Sequence, residues 1–110
     1  RVRQYVVSNG TVQAQTTKLR RSGLDRLMDG IFLSERIGAE KPDIAFFAAV
    51  FAAIGPVDKA ETLIVGDSLT SDIQGGRNAG IQTCWYAPAG GESPLPHHTI
   101  RDLHQVLALL

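Results

Sequence analysis

Three observations predict an α/β fold built on a parallel sheet. Short apolar runs alternate with helical patterns from one end of the chain to the other. Turn residues close the runs, and neither an internal repeat nor a low-complexity tract interrupts the alternation. Strands that alternate with helices pair in parallel and carry the helices on the faces of the sheet.

Tyr5 to Ser8 reads as the first strand, closed by Asn9-Gly10. Thr11 to Ser22 reads as a helix, and Gly23 supplies its C-terminal stop. Ile31-Phe32-Leu33 is a second short strand between Gly30 and Ser34. Pro42 is expected to open the next helix at its first position, where a missing N–H costs nothing. Ile44, Phe47, Phe51 and Ile54 form its apolar stripe, with Phe46 and Val50 beside them, and Gly55-Pro56 ends it.

Thr62 to Val65 is the third strand, and Ser71 to Ala79 the helix after it, with Asn78 and Gly80 as exit signals. Gly75 and Gly76 inside that helix each cost about 1 kcal/mol relative to Ala. Such a cost makes sense where the helix lies close against another backbone. Gln82 to Tyr86 is a fourth strand, and Pro88 to Pro96 a loop. His97 to Ile100 follows as a short edge strand, and Asp102 to Leu110 as a closing helix.

The 110 residues suffice for one small domain with its own core, and 44% of them are apolar. Eleven basic and eleven acidic residues cancel, so no net field recruits nucleic acid or an anionic membrane. Lys18, Arg20 and Arg21 form the densest basic cluster and read as a solvated face. The longest near-apolar run, Ile44 to Ile54, is too short to span a bilayer. Cys84 is the only cysteine, so no disulfide framework exists and a reducing cytoplasm is expected. The chain begins with Arg1 and enters almost directly on a strand, from which further sequence upstream is expected.

The chemistry concentrates where strands end, the edge at which open α/β sheets bind ligands. Gly66-Asp67-Ser68-Leu69-Thr70-Ser71-Asp72 follows the third strand, and its two carboxylates would repel each other unless a cation or a lysine intervened. Paired acids there suit Mg²⁺, which takes oxygen ligands and keeps several waters. The plainer reading makes Asp67 or Ser68 a turn former and Thr70 or Ser71 the helix N-cap. Ser8-Asn9-Gly10 offers a hydroxyl and N–H groups to a phosphate oxygen ahead of a helix. Asn-Gly is also a hairpin signal, yet Thr11 to Gln15 is not the partner strand a hairpin requires. Lys41, before Pro42, is a surface charge or a cation reaching into the cleft. Trp85 and Tyr86 end a strand on the same edge and read as rim packing or as contacts to a base or sugar. His97, His98 and His104 are not spaced as a metal cluster.

Taken together, Ser8-Asn9-Gly10, Lys41-Pro42, Gly66-Asp67 and Asp72 resemble, in order, three of the four motifs of the haloacid dehalogenase superfamily of phosphohydrolases. The resemblance runs from about Tyr5 to Pro88 and implies a Rossmann-like core with helices on both faces. It implies that Ser8, the Asn9 backbone and Gly10 bind the transferring phosphoryl group. It also implies that Lys41 steadies nucleophile and phosphate, and that Asp67 with Asp72 holds Mg²⁺. The segments Gly66 to Ile73 and Thr83 to Tyr86 are similar to the pyrimidine 5′-nucleotidase branch, whose substrates are nucleoside monophosphates.

The family's first motif, an Asp-x-Asp strand with the nucleophile and its acid/base partner, has no counterpart in these residues. The resemblance puts that strand, and the cap domain, upstream of Arg1, and the strand between those ending at Ser8 and Gly66. The chain is then expected to be the C-terminal portion of the core, inactive alone, in an enzyme that acts through an aspartyl phosphate. The alternative is a non-catalytic phosphate- or partner-binding module of the same fold.

Overall fold

The computed structural model describes residues 2–110. Five strands alternate with helices: β1 (Tyr5–Ser8), α1 (Val12–Ser22), β2 (Gly30–Leu33), α2 (Ser34–Ile37), α3 (Ile44–Ile54), β3 (Leu63–Gly66), α4 (Gln74–Ala79), β4 (Gln82–Tyr86) and β5 (His98–Ile100). Short 3₁₀ turns follow at Leu24–Arg26, Lys59–Glu61 and Leu103–Leu109. Every ladder is parallel, as the alternation predicts. β1 pairs with β2 in one sheet and β3, β4 and β5 form another, with no ladder between β1 and β3 among the described residues.

The helix ends follow local chemistry. Thr11 caps α1 by accepting the Ala14 N–H at 3.2 Å, and Gly23 ends it in the left-handed region at φ 77°. The expectation that Pro42 opens the third helix is corrected: α3 begins at Ile44, because the Asp43 side chain accepts the Ala45 N–H at 2.9 Å and so serves as its cap. Pro42 stands in the turn before that cap, after a cis peptide bond from Lys41. The buried face of α3 is also shifted from the expected stripe. Phe46, Phe47 and Val50 are buried, whereas Ile44, in the first turn, is 61% exposed. α2 is a single turn that no apolar period announces.

One core joins the two sheets. Phe46, Phe47 and Val50 of α3 pack with Ile64 of β3, Ala79 of α4 and Ile81, while Val7 of β1 and Phe32 of β2 lean on the same cluster. The Cα radius of gyration, 13.5 Å, is close to the about 13 Å expected of a compact chain this long, so the sheets are not separate lobes. Thr83 and Cys84 of β4 point to opposite faces and are both 0% exposed, so that strand is covered on both sides.

The two helical glycines mark close approach. A Cβ on Gly75 would lie 2.7 Å from the Phe47 ring and 3.2 Å from the Pro42 Cα, and one on Gly76 2.6 Å from both Ile64 and Thr83. Helix propensity alone favours Ala by about 1 kcal/mol, but overpacking costs about 1–3 kcal/mol and dominates. Gly75→Ala is therefore expected to lower the chemical-denaturation midpoint of the protein, and an unchanged or raised midpoint would contradict the packing.

β4 is also latched to the segment that leads into β5. The Thr83 N–H donates to His97 Nδ1 at 3.0 Å, and the His97 N–H donates to Thr83 Oγ1 at 3.0 Å. Nδ1 therefore carries no proton, and the ring is neutral. Desolvation, then Arg77 and His98, hold the His97 pKa below the ordinary histidine range. The unfolded chain takes up a proton below about pH 6.5 that the folded latch resists, so stability falls as pH drops through that value. Thermal unfolding at about pH 7.5 and about pH 5.5 checks this. His97→Gln, which keeps an acceptor and does not titrate, is expected to lose less on acidification than the parent, and an equal loss would sink the latch.

Candidate active site

The carboxyl ends of β1 and β3 converge on Lys41, in the turn before α3. Lys41 is only 8% exposed, and its Nζ donates to the Val7 carbonyl of β1 at 3.0 Å and to Asp72 Oδ1. Asp72 is equally buried, and its Oδ2 accepts the Ser68 N–H at 3.3 Å. One ammonium thus reaches both sheets. It also answers the question raised by the acidic loop, because Lys41 supplies the positive charge beside Asp72.

The backbone of Lys41 is fixed by Asn9. The Asn9 side chain accepts the Lys41 N–H and donates to the Lys41 carbonyl, both at 2.9 Å. Sequence reasoning expects the Asn9 backbone to serve a ligand. The clamp on Lys41 carries no pattern, since the two residues lie 32 positions apart. Ser8 ends β1 beside this clamp. The Gln15 side chain covers Gly10, where a Cβ would come within 2.3 Å of its Cγ.

Past β3, the helix expected over Ser71 to Ala79 begins instead with one wide turn, Leu69–Ile73, in which the Ser68 carbonyl accepts the N–H of both Asp72 and Ile73 at 3.1 Å. Such turns recur at functional sites. The cap is Ser68, not Thr70 or Ser71: its hydroxyl accepts the Ser71 N–H at 3.1 Å. The wide turn leaves Asp72 directly over Gly66, where a Cβ would lie 2.2 Å from Asp72 Oδ2. Asp67, between them, is exposed, and its carboxylate makes no hydrogen bond among the described residues.

The predicted residues therefore gather at the carboxyl ends of two strands, Ser8, Asn9 and Gly10 at β1 and Asp67 and Asp72 at β3, with Lys41 bonded to Asn9 on one side and Asp72 on the other. Among the described residues no cluster of three or more His, Cys, Asp or Glu side chains suits a metal. Two carboxylates, one of them free of partners, still fit Mg²⁺, which binds through one or two carboxylates and completes its shell with water and phosphate oxygens. Trp85 and Tyr86 lie on the same edge, and the Trp85 indole N–H donates to the Asp67 carbonyl at 3.1 Å.

With this geometry in hand, comparison with known proteins is direct. A family profile described as haloacid dehalogenase-like hydrolase matches residues 1–86. The chain belongs to this family. It is 45% identical to the pyrimidine 5′-nucleotidase PynA of Streptococcus pneumoniae over 76% of this chain and 35% of that protein. It is 36% identical to the pyrimidine 5′-nucleotidase YjjG of Escherichia coli over 96% of this chain and 48% of that protein. A crystal structure of the HAD-hydrolase YfnB of Bacillus subtilis, bound to magnesium, matches with a TM-score of 0.94 and 39% identity, over 99% of this chain and 49% of that one. The chain spans about half the length, or less, of these haloacid dehalogenase relatives.

The two glycines under the site respond differently to a methyl group. At Gly66 the obstruction is the tightly bonded Asp72 carboxylate, whereas at Gly10 it is a Gln15 side chain without hydrogen-bonded anchors. Gly66→Ala is expected to cost about 1–3 kcal/mol in denaturant melts, and Gly10→Ala clearly less. Equal costs would contradict the close seating of Asp72.

Proposed function

We propose that the complete protein carrying this chain is a Mg²⁺-dependent phosphohydrolase of small phosphomonoesters, nucleoside 5′-monophosphates foremost. The observation that carries the reading is the Lys41 ammonium, buried between the ends of β1 and β3, where it bonds to the Val7 carbonyl and the Asp72 carboxylate. An ammonium has three N–H donors, and Val7 and Asp72 take two, which leaves one for a phosphate oxygen. The names of the nucleotidase relatives support the substrate class.

In this reading Ser8, the N–H groups of Asn9 and Gly10, and Lys41 bind the phosphoryl oxygens and compensate the charge that grows on them. Asn9 keeps Lys41 from swinging away as substrate enters. Asp67 holds Mg²⁺ directly, and Asp72 supports it while fixing Lys41. When bound, Mg²⁺ supplies further positive charge against the phosphate oxygens. The nucleophile is an Asp from outside these 110 residues, attacking phosphorus while a second Asp protonates the leaving alkoxide, after which water cleaves the aspartyl phosphate.

Residues 1–110 then form the C-terminal portion of a haloacid dehalogenase-like core, and the strand bearing the nucleophile enters between β1 and β3, which share no ladder among the described residues. No helix among the described residues is long and apolar enough to cross a membrane, and the lone buried Cys84 accords with a reducing cytoplasm.

The test is phosphate release by the complete protein from a panel of nucleoside monophosphates and sugar phosphates, with Mg²⁺ and after chelation. Chelation is expected to abolish turnover, and Asp67→Asn to lower it about a hundredfold or more. Turnover unaffected by both changes would remove the metal from the reaction and Asp67 from the site.

A further inference from the structure

We propose that Trp85 is the positioning residue for Asp67, setting where its carboxylate stands for the metal; the proposal rests on the reading of Asp67 as a Mg²⁺ ligand. The β3–β4 ladder ends at the pair Gly66 and Trp85, one residue short of Asp67. The Trp85 indole N–H then reaches over to the Asp67 carbonyl at 3.1 Å and extends the pairing by one bond past the last rung. Among the described residues no other side chain bonds to Asp67, whose own carboxylate is exposed and unpartnered. The loop on the Ser68 side is anchored separately, through its cap and through Asp72. The indole therefore fixes the remaining end of a short loop.

The ring itself is braced. A Cβ on Gly91 would come within 2.9 Å of Trp85 Cη2, so the backbone of the loop beyond β4 lies against the indole. Cys84, the preceding residue of β4, is wholly buried on the opposite face of the sheet. A phenylalanine at this position keeps an aromatic ring against Gly91 and lacks only the donor. Without that bond the Asp67 backbone loses an anchor, and the carboxylate it carries is held less closely.

The experiment is calorimetric titration of the complete protein with magnesium chloride alone, for the parent and for Trp85→Phe, Cys84→Ala and Asp67→Asn. In Trp85→Phe the metal must itself order Asp67, so the Mg²⁺ dissociation constant is expected to rise about three- to tenfold, the most that one net hydrogen bond contributes. Cys84→Ala, which opens a hole under the opposite face of β4 without touching the indole bond, is expected to keep the parent affinity, and Asp67→Asn to lose binding. Parent-like affinity in Trp85→Phe overturns the proposal while leaving the metal reading intact, as does an equal loss in Cys84→Ala, which would trace the effect to a general loosening of β4. Parent-like affinity in Asp67→Asn overturns both. Should Trp85→Phe fail to fold, the indole N–H resonance of the parent decides. It is expected to shift during the magnesium titration, and a stationary resonance overturns the proposal.

Discussion

The Lys41 ammonium is the point on which both sheets converge. Val7 belongs to the sheet of β1 and β2, Asp72 follows the sheet of β3 to β5, and a single Nζ donates to both. The hydrophobic core beneath joins the sheets without direction, since apolar packing fixes distance better than orientation. The ion pair adds the directional part. Taking a lysine and an aspartate out of water costs several kcal/mol each, which only close contact and further hydrogen bonds offset. The Val7 carbonyl and the Ser68 N–H are those further bonds.

The remaining site geometry serves this pair. Asn9 grips the Lys41 backbone from β1, so the first sheet sets the origin of the lysine as well as its end. The wide turn at Leu69–Ile73 and the bare Cα of Gly66 bring Asp72 down onto the edge of β3. A regular turn, or any side chain at Gly66, would hold the carboxylate away. Asp67 differs from all of these residues, because its carboxylate is exposed while only its carbonyl is held, by Trp85. A buried, fully bonded pair beside an exposed acid is an arrangement in which one carboxylate organises the site and the other stays open to a ligand.

Period and punctuation sufficed for the strands: Tyr5 to Ser8 is found as read, and the others lie within a residue of the apolar runs. Ordered motifs on strand ends led to residues that the fold gathers at the carboxyl ends of β1 and β3, because parallel strands send their loops out on the same side. Contacts between distant residues were not legible, as with the Asn9 clamp and the Trp85 indole, since nothing in either local sequence announces a partner. Helix starts differ from the sequence pattern where more than one residue offers a start signal. Asp43 prevailed over Pro42, and Ser68 over Thr70 and Ser71, because the residue whose oxygen reaches the free N–H decides the boundary. The glycines of α4 were legible as a cost, and the cost is repaid in contacts with Phe47, Ile64 and Thr83.

The most direct measurement is a double-mutant cycle in the complete protein, with Lys41→Met and Asp72→Asn alone and together, read as unfolding free energy. Each single change strands a buried charge or a buried polar partner, so the double variant is expected to be more stable than the sum of the singles allows, by about 2 kcal/mol or more. Additivity within about 0.5 kcal/mol would mean that the two side chains do not depend on each other, and the site would lose its organising contact.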